Sequence, residues 1–143
     1  MSSPSSRTFE DAKVGVRYKI AALWTAMLFL FAYGDIFGFF NPGQLQEVMA
    51  GEVSGMAITQ GFLFAVSLYV AIASVMVFLS LVLSPPVNRW ANIVLASLYV
   101  VSIVASAIGE PSAYYWFLSI TESALLLLIV WYAWTWPRRD GAP

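Results

Sequence analysis

The stretch AYGDIFGFF, residues 32–40, sets one carboxylate, Asp35, in an apolar run, and its reading decides how often the chain crosses a membrane. Ala32-Tyr33-Gly34 is a small-x-small triplet after a basic start and an apolar stretch, the pattern of a signal-peptide cleavage site. Alternatively, the apolar run from about Ile20 to Phe40 is a first span, since about 20 apolar residues cross a bilayer as a helix. The run is long for a signal. Cleavage would also leave an odd number of spans, with a basic loop on the wrong side. The span reading therefore stands, and it places an ionisable residue within the membrane, where charge is costly.

The rest of the composition suits lipid. Of 143 residues, 60% are hydrophobic and 10% charged, with a mean hydropathy of +0.77; soluble domains are typically about a quarter charged. Aromatic residues make up 16%, including six Trp and seven Tyr, rings that favour the water–lipid boundary. A net charge of −1 offers nothing to nucleic acid. The chain has no Cys and no His, which removes disulfides, thiol nucleophiles, haem attachment, zinc sites and imidazole acid–base chemistry. No metal or cofactor is expected. Catalysis would have to rest on carboxylates, Tyr, Lys or Arg.

Four spans emerge. Residues 1–19 read as a polar tail and 20–40 as span one. In NPGQLQEVMAGEVSGMA, residues 41–57, Pro42 and later glycines bracket a short surface helix with Leu45, Val48 and Met49 on one face. Span two, 58–83, is broken by SPPVNR, because proline cannot donate to a helix and the residue before it avoids helical geometry. Span three, 90–108, ends at GEPS, and span four, 113–136, precedes a second tail, 137–143. With no water to satisfy open backbone in hydrocarbon, the spans are helices. The expected fold is all-α, an integral membrane four-helix bundle. Arg7, Lys13, Arg17, Lys19, Arg89, Arg138 and Arg139 all fall on one side of it, and Glu47, Glu52 and Glu110 on the other. By the positive-inside rule both termini are cytoplasmic.

Asp35 then lies roughly 8 Å below the outer boundary, and Glu122, counted inward from Ala113, roughly 13 Å deep. Gln60 opens span two at the same boundary. Tyr115, Ser119 and Glu122 step by four and three and share one face of span four. Tyr33, Tyr114, Tyr115 and Trp116 surround this region, and rings beside carboxylates attract organic cations. The same rings also serve as an interfacial belt. Ionisable residues in spans mark ion, proton or ligand paths, or are held neutral and hydrogen-bonded to a neighbouring helix; both readings stay open for Asp35 and Glu122. Small and hydroxylated stripes, Gln60, Ser67, Ala71 and Ser74 on span two and Ser102, Ala105, Ser106 and Gly109 on span three, read as helix packing. Arg89-Trp90 reads as a loop pinned at the headgroups, and Trp131, Tyr132, Trp134 and Trp136 as a membrane anchor.

The blocks LWTAMLFLFAYGDIFGFF, GMAITQGFLFAVSLYV, VNRWANIVLA and EPSAYYWFLSITESALLLLIVWYAWTWP, in this order and spacing, resemble the bacterial membrane family of domain of unknown function 6326. The resemblance spans roughly residues 18–137. It implies a small four-span bacterial inner-membrane protein with no established activity. Its recurring polar features correspond to Tyr33 and Asp35, Thr59 and Gln60, Asn88-Arg89-Trp90, Tyr114-Tyr115 and Glu122.

Three functions compete. The first is binding or transport of a small cationic or polar ligand at an outward acidic pocket of Asp35, Gln60, Tyr115 and Glu122, with proton coupling through Glu122 and a homodimer enclosing the path. The second is a non-catalytic subunit or assembly factor, with lipids and another membrane protein as partners. The third, an enzyme on a lipid or quinone with Glu122 as general acid–base, has least support, because no nucleophile, metal or nucleotide motif accompanies the acids. The pocket requires spans one and four to touch.

Overall fold

Helical periodicity is hard to read in a chain this apolar, and helix ends are set by glycine, proline and capping groups. The computed structural model describes residues 12–137. Its elements run α1 (Val16–Gly38), α2 (Gln44–Met49), β1 (Glu52–Val53), β2 (Met56–Ala57), α3 (Gln60–Val82), α4 (Pro85–Ala107) and α5 (Ala113–Trp134). α1, α3, α4 and α5 are long and apolar enough to cross a membrane. The chain runs unbroken as helix through Ala32-Tyr33-Gly34.

Two boundaries differ from expectation. α1 begins at Val16, so Arg17 and Lys19 are helical rather than tail residues. α4 begins at Pro85 and takes in the proline pair read above as a break. Proline suits the first helical turn, where its missing N–H would have no partner and its fixed φ is already helical. Only Leu83 and Ser84, both extended, join α3 to α4.

The expected surface helix is α2, and a hairpin follows it. β1 and β2 pair antiparallel, Glu52 with Ala57 and Val53 with Met56. The turn residues Ser54 and Gly55 both have positive φ, the geometry that lets a two-residue turn follow strand twist. Strands of two residues carry no alternation to read, so this hairpin was not foreseen.

Consecutive long helices alternate direction. α1 packs along both α3 and α5, and α4 along α5, whereas α3 and α4 approach each other's backbone in few places. Spans one and four therefore touch. The core between them holds Ile20, Trp24, Met27, Ala73, Met76, Ala96, Tyr99, Ile103, Leu126, Ile129 and Ala133. Tyr69 and Tyr99 lie 4.4 Å apart between ring centroids, Phe31 stacks on Tyr69 at 5.9 Å, and Trp24 meets Tyr99 edge-on. These large rings fill the gap between α3 and α4.

One end, the basic end, carries the start of α1, the end of α5 and the α3–α4 turn; the other, the loop end, carries residues 39–59 and 108–112. Towards the basic end, Trp24, Ser80, Asn88 and Asn92 form a buried polar knot. Trp24 Nε1 donates to Asn92 Oδ1 at 2.7 Å and Ser80 Oγ to the same oxygen at 3.3 Å. Asn92 Nδ2 donates to Asn88 Oδ1 and O, and Asn88 Nδ2 to Ser80 O. Three helices are tied by bonds that would be costly to leave unmade in this setting.

The arginines correct a sequence expectation. Arg89 does not simply pin a loop to headgroups: its Nε donates to Ala133 O at 3.1 Å and Nη2 to Trp134 O at 3.4 Å. Its guanidinium lies over Trp90 and Trp134. Arg17 Nη1 likewise donates to Leu81 O at 2.6 Å. Each cation thus satisfies orphan carbonyls at another helix's C-terminus, where the helix dipole favours positive charge. Lys19 over Tyr132 and Arg17 over Trp136 give that aromatic cluster a packing role beyond anchoring.

Candidate functional site

α5 buries one stripe, Ser119, Glu122, Leu126, Ile129 and Ala133, against the other helices. The i, i+3, i+7 spacing makes this one helical face, so Glu122 is carried inward with the core residues. Glu122 lies nine residues along α5 and Tyr69 nine along α3, both about 13 Å from the loop end at 1.5 Å per residue. Tyr99 on α4 stands at nearly the same level. Glu122 is thus at mid-bundle, level with the tyrosine pair.

Its surroundings are polar but do not bond it. Tyr69 and Ser102 hydroxyls are 2.7 Å apart, Ser102 also donates to Tyr99 O, and the Tyr99 hydroxyl donates to Tyr69 O. Nearer the loop end, Tyr115 donates to Ser106 Oγ at 2.9 Å and Ser106 to Ile103 O. Glu122 is 7% exposed, and no hydrogen bond to its carboxyl is made among the described residues. Among the described residues no buried side-chain oxygen or nitrogen is sealed without a partner, so the carboxyl oxygens still touch open space.

Asp35, a turn from the end of α1, is within electrostatic reach of Glu122. Tyr69 is within reach of Glu122 and Tyr115, and Tyr114 of Asp35, Glu110 and Tyr115. The described cations, Lys13, Arg17, Lys19 and Arg89, all sit at the basic end. The acids therefore form one electrostatic group with no described cation beside them.

The expected site residues divide. Asp35, Glu122, Tyr114, Tyr115 and Ser119 come together, with Asp35 on the bundle surface and Ser119 buried one turn above Glu122. Gln60 is exposed in the first turn of α3 and joins none of the hydrogen bonds above. Tyr33 is 53% exposed, its ring beside Phe37. Neighbouring Thr59 is the N-cap of α3, accepting from Phe62 N at 3.1 Å. Tyr69, Tyr99 and Ser102 were missed as a cluster. The signal available was their depth, since Tyr69 and Tyr99 lie as far into their helices as Glu122 does. A shallow apolar groove of about 530 Å³, lined by Pro86, Val87, Trp90, Ala91, Val94 and Leu95, lies on the exposed side of α4 near the basic end. It is remote from the acids and has no polar chemistry.

Four helices long and apolar enough to cross a membrane, packed around a glutamate buried at mid-bundle, define a small helical protein of membrane type. The chain belongs to a family of unknown function, DUF6326, whose model matches residues 9–142. No curated protein and no solved structure matches it.

Proposed function

We propose that the protein binds or transports a small organic cation at Glu122, exchanging a proton for it, with the loop end facing out of the cell and the basic end facing the cytoplasm. The observation that carries this reading is Glu122 itself: buried at mid-bundle, unbonded, and within reach of Asp35. A carboxyl retained only to pin helices should hold a hydrogen-bond partner, as the polar knot does. Asp35 from α1 and Tyr69 from α3 lie within electrostatic reach of Glu122, and Ser102 and Tyr99 of α4 are hydrogen-bonded to Tyr69. A cation arriving there meets carboxyl charge and aromatic rings and no described competing cation. The loop end is assigned outward because the basic residues gather opposite it.

The test is calorimetry with tetraphenylphosphonium on protein in lipid nanodiscs, in buffers of different ionisation enthalpy. Wild type should release about one proton per cation bound, and Glu122→Gln should bind at least about tenfold more weakly, a loss of about 1.4 kcal/mol, with no release. Equal binding by both proteins would remove Glu122 from the site.

A further inference from the structure

The four seams between neighbouring helices are not equally closed at the loop end. The α1/α5 seam is tight: a Cβ on Gly34 would stand 3.3 Å from Leu118 Cδ1. Asn41 Nδ2 also donates to Ser112 Oγ at 3.1 Å across the top of these helices. The α4/α5 seam is tied by Tyr115 and Ser106. α1 and α3 are close neighbours, with Phe31 of α1 stacked on Tyr69 of α3. The α3/α4 seam differs. Its side chains meet at Ser80 with Asn88 and Asn92, and again at Tyr69 with Ser102 and Tyr99. Beyond that level, among the described residues, no hydrogen bond crosses it.

The loop-end half of α3 is also poorly covered. The buried residues of α3 are Ala73, Met76 and Ser80, all on the basic side of Tyr69. Residues 60–68 bury none, and Leu63, Phe64, Val66 and Leu68 are each more than 40% exposed. Opposite them, Ala105 and Ser106 continue the Ser102 face of α4 by steps of three and four, and Gly109 follows the end of the helix. All three are exposed. The small-residue stripe read from sequence as helix packing therefore lines an unfilled seam. The stripe read on α3, Ser67, Ala71 and Ser74, is likewise exposed.

We infer that the ligand is an amphiphilic organic cation that enters sideways from the loop-end lipid leaflet, through the seam between α3 and α4, to reach Glu122. This rests on the binding reading above and adds its substrate class and route. The apolar flank of α3 and the small residues of α4 accommodate an apolar body. The hydroxyls of Tyr69, Ser102 and Ser106 and the carboxyls beyond them receive the charged head. A compact, water-borne cation gains nothing from such a seam, whereas a molecule already dissolved in the leaflet meets it directly.

The chain has no cysteine, so Ala65→Cys with Ala105→Cys can be bridged across the seam by a thiol-reversible linker. Tetraphenylphosphonium association with this protein in liposomes is then timed before and after reduction. Bridging should slow association at least about tenfold, and reduction should restore it. Association equally fast in both states overturns side entry and leaves the Glu122 site standing. A second arm uses unmodified protein: tetraethylammonium, which stays in water, should bind at least about tenfold more weakly than tetraphenylphosphonium. Equal binding overturns the amphiphile assignment. If neither cation binds, or Glu122→Gln binds both as well as wild type, the site reading falls and the route falls with it.

Discussion

Asn92 is the residue on which the basic half of the bundle turns. Its Oδ1 accepts from Trp24 on α1 and Ser80 on α3, and its Nδ2 donates to Asn88 one turn earlier. Replacing it with leucine would keep the volume and strand those partners where no water reaches. Asn92→Leu should cost on the order of 2 kcal/mol, even though interhelical hydrogen bonds in membranes average only about 0.6 kcal/mol. Reversible unfolding in mixed micelles measures this. Adding Trp24→Phe should recover part of the loss, because one stranded donor is then gone; a purely additive double variant would contradict the knot. None of this could be read beforehand: an asparagine in an apolar helix looks the same facing lipid or core, and its partners lie 12 and 68 positions away. Arg89 was read as a headgroup anchor because its acceptors are backbone carbonyls at the end of another helix. Arg89→Met, which keeps a long apolar stem, should destabilise by about 1 kcal/mol in the same unfolding measurement.

At the scale of elements, hydropathy was enough to find four helices, since each holds an uninterrupted apolar run with at most a few charges. It could not find their ends. Pro85 and Pro86 were read as a break for the same chemical reason that suits them to the start of α4, their lack of an N–H. Nor could it show which helices are neighbours, and the adjacency of α1 and α5 is what makes Asp35 and Glu122 one group rather than two. At the ends, single residues carry measurable weight. Thr59 caps α3 through Phe62 N, so Thr59→Ala should cost about 1 kcal/mol, while Thr59→Ser should cost little. Gly109 follows α4 with φ of 86°, a left-handed conformation that a β-branched side chain resists. Gly109→Val should therefore cost about 1–2 kcal/mol even though nothing crowds the position. Equal stability of Gly109→Val and wild type would mean that the turn into α5 can rearrange.

For the whole molecule, the direction of the bundle decides what the acid site can meet. Of the seven basic residues of the sequence, the four described, Lys13, Arg17, Lys19 and Arg89, lie at one end, and Glu47, Glu52 and Glu110 at the other. Two of the seven, Arg17 and Arg89, are engaged with helix carbonyls in the folded bundle, and only a guanidinium's remaining donors are left for headgroups. That engagement does not weaken the topology argument, because orientation is set while helices insert, before helices pack and such bonds form. The bias should therefore act at full strength and leave the loop end outside. Single cysteines in this cysteine-free chain report it directly. Ser54→Cys, in the hairpin turn, should react with a membrane-impermeant maleimide on intact spheroplasts. Ser84→Cys, in the α3–α4 turn, should react only after permeabilisation. The reverse pattern would turn the seam and Glu122 towards the cytoplasmic leaflet, and the cation would then be drawn from inside the cell.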